Sequence, residues 1–127
     1  MKTVLIIDDD ELYQLVLKRT IRKVAPETNI VSCWNGEEAL DTFATMFMDN
    51  TPLPDVVFLD INMPVLDGWQ FLDGLEKIKP NAGELFSIYM ISTSLDFTDR
   101  QKATKSHTIK KFLTKPLEKH TLEEILC

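Results

Sequence analysis

The chain has 127 residues, of which 44% are hydrophobic and 27% charged, enough apolar content for one domain with its own core and too much for a disordered chain. A formal net charge of −6 argues against nonspecific binding of the whole domain to nucleic acid or an anionic membrane. No apolar run approaches the roughly 18 residues of a membrane span, and Met1-Lys2-Thr3 runs straight into a short apolar strand rather than a signal peptide.

The pattern then alternates along the chain. Thr3 to Ile7 is a short β-type run bounded by Asp8-Asp9-Asp10. Tyr13, Val16, Leu17, Thr20, Ile21 and Val24 recur at helical spacing, and Pro26 stops that helix. Asn29 to Cys33 reads as a second strand. Asn35-Gly36 follows it, then a helix with Leu40, Phe43, Ala44 and Phe47 on one face. After a loop with two prolines, Asp55 to Leu59 is the third strand, and Phe71, Leu72, Leu75 and Ile78 mark a helix ended by Pro80. Phe86 to Ile91 is a fourth strand, about Phe97 to Lys105 a weaker helix, Ile109 to Leu113 a fifth strand and Leu117 to Leu126 a closing helix. Continuous apolar strands alternating with amphipathic helices predict an α/β domain of five βα units, with a parallel sheet covered on both faces. Residues 1–127 are expected to form that single domain. The two cysteines, Cys33 and Cys127, offer no disulfide framework, so a reduced, cytoplasmic chain is expected.

In an open parallel sheet, ligands sit beyond the carboxyl ends of the strands. Asp8 and Asp9 follow the first strand, Asp60 ends the third, Ser92 and Thr93 follow the fourth, and Lys115-Pro116 follows the fifth. Each has a bland reading. The acidic triplet also suits a solvated turn with Asp10 capping the next helix, Asp60 a loop carboxylate, Ser92 a strand-end hydroxyl and Lys115 a surface cation. Their shared position at strand ends is what makes them a set. Three close carboxylates repel one another unless a cation joins them, and a hard divalent ion such as Mg²⁺ takes one or two carboxylates, waters and a phosphate. Carboxylates, metal, hydroxyl and lysine are the parts needed to receive a phosphoryl group, with a carboxylate as nucleophile.

These residues resemble a response-regulator receiver domain of the two-component signalling systems, of the stand-alone, single-domain type. The matching pieces are the apolar strand ending in Asp8-Asp9, the stretch Asn35-Gly36-Glu37-Glu38-Ala39-Leu40, and Asp60-Ile61-Asn62-Met63-Pro64-Val65-Leu66-Asp67-Gly68. Ser92 and Lys115-Pro116 complete the set, so the resemblance covers about residues 3 to 126. It implies a flavodoxin-like (βα)5 doubly wound sheet with strand order 2-1-3-4-5. Asp60 would be the phospho-acceptor. Asp9 and Asp60 would ligate Mg²⁺ directly, Asp8 mostly through water and Asn62 through its backbone carbonyl. Ser92 would hydrogen-bond the phosphoryl group, Lys115 would pair with it, and Phe112 would be the aromatic that turns inward on switching. Phe112 also reads as a plain core aromatic. A cis Lys115-Pro116 bond belongs to the same expectation. The implied partners are a sensor histidine kinase or phosphotransfer protein and a downstream protein target, with no direct nucleic-acid or membrane contact.

Two stretches depart from the family pattern: His107-Thr108-Ile109 replaces a run of small residues before the fifth strand, and the loop from Asp49 to Pro54 is longer than usual. From Arg100 to Pro116 no acidic residue occurs, while Arg100, Lys102, Lys105, Lys110, Lys111 and Lys115 do. That run is either a solvated face or a docking face for an acidic partner. Two other functions stay in view. A Mg²⁺-dependent phosphatase or mutase would use a nucleophilic aspartate, but its usual Asp-x-Asp motif would need an acid where Asn62 stands. A receiver-like binding module without phospho-acceptance would not need Asp8, Asp9, Asp60, Ser92 and Lys115 together.

Overall fold

The computed structural model describes residues 2–93 and 97–127, leaving aside the side chains of Phe97 and Thr104. Five strands, β1 (Thr3–Ile7), β2 (Asn29–Cys33), β3 (Val56–Asp60), β4 (Ser87–Ser92) and β5 (Ile109–Thr114), form one sheet. All neighbours are parallel, in the order β2-β1-β3-β4-β5. The helices are α1 (Glu11–Val24), α2 (Gly36–Asp49), α3 (Gly68–Ile78), α4 (Phe97–Lys105) and α5 (Lys119–Leu126).

The period of two along each strand divides the apolar residues between two cores. Leu5, Ile7, Val57, Leu59, Ile88 and Met90 face the layer of α2 and α3, where Phe43 stacks on Phe86 at 5.1 Å and tilts against Phe71 at 6.1 Å. Val4, Ile6, Val56, Phe58, Tyr89 and Ile91 face the opposite layer, where Leu17, Ile21, Leu122 and Leu126 of α1 and α5 cover them. Each such side chain contributes about 1.5–3 kcal/mol by leaving water, which is why strands buried on both faces read as unbroken apolar runs. The chain reverses its winding between β1 and β3. That is the crevice where a doubly wound sheet presents ligand groups.

Helix starts are set by short polar side chains. Asp10 caps α1 by accepting from the Tyr13 N–H at 3.1 Å, and Asn35 caps α2 by accepting from Glu38 N–H at 2.8 Å. At α3, Asp67 accepts from Gln70 N–H at 2.8 Å while the Gln70 side chain accepts from Asp67 N–H at 2.9 Å, a reciprocal capping box. Asn50, in the left-handed region at φ 53°, closes α2.

Four expectations from periodicity shift. Val16 lies on the exposed side of α1 (47% exposed), while Gln14 is fully buried in line with Leu17 and Ile21. Phe86 precedes β4 rather than opening it, and its ring packs in the core. Ser92 is the last residue of β4 rather than the first beyond it, whereas Asp60 ends β3 as expected. Leu117 is buried ahead of α5, which begins at Lys119.

The loop between β3 and α3 turns sharply. Met63 N–H donates to Ile61 O at 3.2 Å, Leu66 N–H to Pro64 O at 2.7 Å and Gly68 N–H to Ile61 O at 2.8 Å. A Cβ on Gly68 would lie 2.9 Å from the Asp60 carbonyl oxygen and 3.0 Å from Ile61 Cα. The glycine therefore lets α3 start directly against the end of β3. Val65, at φ 68° and 88% exposed, is a β-branched residue in left-handed backbone with little packing to lose. Val65→Asn should raise stability by about 1 kcal/mol by relieving that strain. A urea-unfolding midpoint that stays put or falls would show that Val65 is not strained.

Candidate functional site

The site is assembled from four strand ends, those of β1, β3, β4 and β5. At the exit of β1, Asp8 N–H donates to Cys33 O at 3.1 Å. The buried Gln14 amide donates both hydrogens, to Asp8 O and to Cys33 O, each at 3.0 Å. The Asp8 side chain accepts from Asp10 N–H at 2.9 Å through one oxygen and meets Lys115 Nζ at 2.7 Å through the other. Lys115 Nζ also lies 3.4 Å from Asp60 Oδ1. Asp8 and Asp60 are buried and Asp9 is exposed, and one carboxylate oxygen from each of the three lies within 4.8 Å of the others.

Lys115 is aimed by its backbone. Its N–H donates to Ser92 O at 2.9 Å, and its peptide bond to Pro116 is cis, as expected. The Tyr13 ring covers it, with Nζ 4.2 Å from the ring centroid. Ser92 is fully buried, and Asn62 Nδ2 donates to its hydroxyl at 3.4 Å. Asn62 thus turns its side chain toward Ser92, while its backbone carbonyl remains the group for which a metal role is expected.

The electrostatics follow from three acids and one base under partial burial. Burial raises the Asp60 carboxyl to about 6, Asp8 and Asp9 add to the rise, and Lys115 opposes it. Burial alone would lower Lys115, but hydrogen bonds and charge from Asp8 and Asp60 outweigh it and hold the ammonium above its ordinary value. Burial pushes the Tyr13 phenol up to about 12, with the nearby Leu117 amide pulling the other way, so this ring stays neutral at physiological pH. The set carries two more negative than positive charges, and its donors are all hard oxygens. That composition suits a hard divalent cation, which would remove the repulsion lifting Asp60.

Phe112 lies half-buried on β5 against the α2–α3 core, with the Arg100 guanidinium 5.9 Å from its ring centroid. Arg100, Lys102, Lys105, Lys110 and Lys111 are exposed around it. Lys115, the last cation of the basic run, belongs instead to the acidic pocket. On the α3 side, Trp69 Nε1 donates to Asp99 Oδ1 at 2.9 Å. The loop joining β4 to α4 is expected to move with Ser92, and its residues 94–96 lie outside the described residues.

Fold and site define a flavodoxin-like domain with an oxygen-rich acidic pocket at its topological switch point. The model of the response regulator receiver domain family matches residues 4–127, and the chain belongs to that family. Among curated relatives, protein-glutamate methylesterase/protein-glutamine glutaminase 2 of Pseudomonas aeruginosa is 38% identical over 78 residues, 61% of this chain and 21% of that protein. Chemotaxis protein CheY of Thermotoga maritima is 35% identical over 81 residues, 64% of this chain and 62% of that protein. The chain spans about a fifth of the length of the methylesterase relatives, and its likeness to them falls within the receiver domain. A crystal structure of a two-component response regulator from Cytophaga hutchinsonii aligns with a TM-score of 0.88 at 27% identity, covering 97% of this chain and 92% of that one. Nothing in these comparisons supports the phosphatase or mutase alternative.

Proposed function

We propose that Asp60 is the residue that receives a phosphoryl group, from a phosphohistidine of a sensor kinase or phosphotransfer protein. The observation carrying this reading is that Asp60 ends β3 inside one oxygen cluster with Asp8 and Asp9, within reach of Lys115. An Asp60 carboxylate oxygen attacks phosphorus and forms the O–P bond. The P–N bond breaks, and its electron pair stays on the imidazole nitrogen of the donor. Asp8, Asp9, Asp60 and the Asn62 carbonyl would hold Mg²⁺, with Asp8 acting mostly through water. When bound, the ion supplies neutralising charge for the carboxylates and the phosphoryl oxygens. Lys115 supplies the fixed counter-charge on the opposite side.

The phosphoryl group adds roughly two negative charges beside Lys115 and Ser92. The Ser92 hydroxyl then turns from Asn62 to a phosphoryl oxygen, and Phe112 turns inward from beneath Arg100. The exposed cations of α4 and β5 carry that change to an acidic protein partner. The chain is thus a regulatory acceptor that assists its own phosphorylation and dephosphorylation, its residues 1–127 forming one receiver domain that works in the cytoplasm. Unpaired Cys33 and Cys127 agree with a reducing setting.

Intact mass after incubation with Mg²⁺ and acetyl phosphate should show one added phosphoryl group. The addition should vanish with a chelator and in Asp60→Asn. An Asp60→Asn protein that gains the same mass would sink the assignment.

A further inference from the structure

We propose that Tyr13 is a positioning residue for Lys115, its ring face holding the ammonium in the pocket when the surrounding carboxylates are drawn to a cation. The proposal rests on the phospho-acceptor reading of the pocket given above. Lys115 meets only two carboxylates among the described residues, Asp8 at 2.7 Å and Asp60 at 3.4 Å. Both belong to the oxygen cluster that a divalent ion would engage. With Asp60 drawn to the ion and Asp8 shared with the ion's waters, a lysine held by those groups alone would be poorly fixed at the moment its position matters. The Tyr13 ring cannot be taken from it in that way, because it offers a quadrupole rather than an oxygen ligand.

The geometry is close and shielded. Nζ lies 4.2 Å from the Tyr13 centroid, whereas the other three cation–ring contacts of the described residues span 5.6–5.9 Å. The Lys115 side chain is 9% exposed, so water weakens the attraction little. The ring is anchored at its base as well: Tyr13 N–H is the donor that Asp10 accepts in capping α1, next to Asp9 in the chain. The Tyr13 hydroxyl is buried and makes no well-formed hydrogen bond. The ring face, not the hydroxyl, is therefore what the lysine uses, and phenylalanine should serve as well.

The test compares wild type, Tyr13→Phe, Tyr13→Leu, Lys115→Ala and the Tyr13→Leu/Lys115→Ala double variant. Labelling by acetyl phosphate at saturating Mg²⁺ should proceed within twofold of wild type in Tyr13→Phe and about five- to tenfold slower in Tyr13→Leu. In the Lys115→Ala background Tyr13→Leu should change nothing further, because the group it positions is gone. An equal loss in both backgrounds, or an equal loss in Tyr13→Phe, overturns the proposal. A second readout needs neither labelling nor a variant that folds. In wild type with Mg²⁺, the Lys115 ε-methylene protons should be shifted upfield by the ring and show NOEs to the Tyr13 ring protons. Loss of those NOEs on adding Mg²⁺ overturns the proposal. Failure of wild type to accept a phosphoryl group would instead overturn the reading of Asp60.

Discussion

Asp60→Asn should stabilise the cation-free protein at pH 7.5 by roughly 2–3 kcal/mol, while abolishing phosphoryl acceptance. The folded Asp60 carboxyl titrates near 6, against an ordinary value of 3.8, because burial and then Asp8 disfavour its charged form. At about 1.36 kcal/mol per pKa unit, holding it ionised at neutral pH costs on the order of 3 kcal/mol. The sign follows from proton linkage. The folded state binds this proton more tightly than the unfolded chain, so between pH 4 and 6 stability falls as pH rises, and above about 6 the whole penalty is present. Asparagine keeps the shape and removes the charge. Lys115 keeps its 2.7 Å contact with Asp8, so no buried ammonium is left unpaired. Urea unfolding of both proteins in chelator, from pH 4.5 to 8, reads the difference directly. A variant that is less stable at pH 7.5, or a gain that persists unchanged at pH 4.5, would show that Asp60 carries no such penalty.

The penalty also sets how the pocket would respond to a bound cation. An ion that binds the folded site and not the unfolded chain stabilises by mass action, and part of what it relieves is the repulsion among Asp8, Asp9 and Asp60. On the proposed reading of the site, relieving the strain of three acids around one lysine should stabilise the domain at the expense of phosphoryl acceptance. The intact acidic set explains why the domain keeps a destabilising carboxylate at the end of an otherwise apolar strand.

The fold was readable because strands buried on both faces leave unbroken apolar runs, and because Pro26, Pro80 and the cap Asp10 mark helix ends. The order β2-β1-β3-β4-β5 was legible only through the family resemblance, since no local pattern encodes which crossover goes which way. The grouping of Asp8, Asp9, Asp60 and Lys115 was legible because the carboxyl ends of parallel strands meet at one edge of the sheet. Tyr13 was placed on a helical stripe, but its contact with Lys115 depends on packing between α1 and the end of β5, 102 positions away in sequence. Val16 and Gln14 were missed for one reason. A polar residue on an amphipathic helix reads as solvent-facing, and an apolar one as core. The register held the signal: Gln14, Leu17 and Ile21 fall at i, i+3 and i+7, one stripe of α1, while Val16 falls off it.

Gln14 gives the second large expected effect, because its side chain stitches β1 to β2 beneath the acidic loop. Its amide nitrogen donates one hydrogen to Asp8 O and the other to Cys33 O, both at 3.0 Å, in a fully buried position. Cys33 O retains the Asp8 N–H at 3.1 Å when Gln14 is replaced, whereas Asp8 O loses the side-chain donor. Gln14→Leu keeps most of the volume and should cost about 2–4 kcal/mol, chiefly for the Asp8 carbonyl stripped of its partner. Gln14→Glu should be worse at neutral pH, since it turns a carboxylate toward two carbonyl oxygens. Its behaviour with pH separates this account from a packing defect. A protonated glutamic acid can donate one hydrogen bond, so the folded state should hold that proton tightly, and Gln14→Glu should regain stability relative to wild type as pH falls toward 5. Gln14→Leu should show no such recovery. Parallel losses for the two variants at every pH would mean that shape alone, and not the paired donors, holds the Asp8 loop in place.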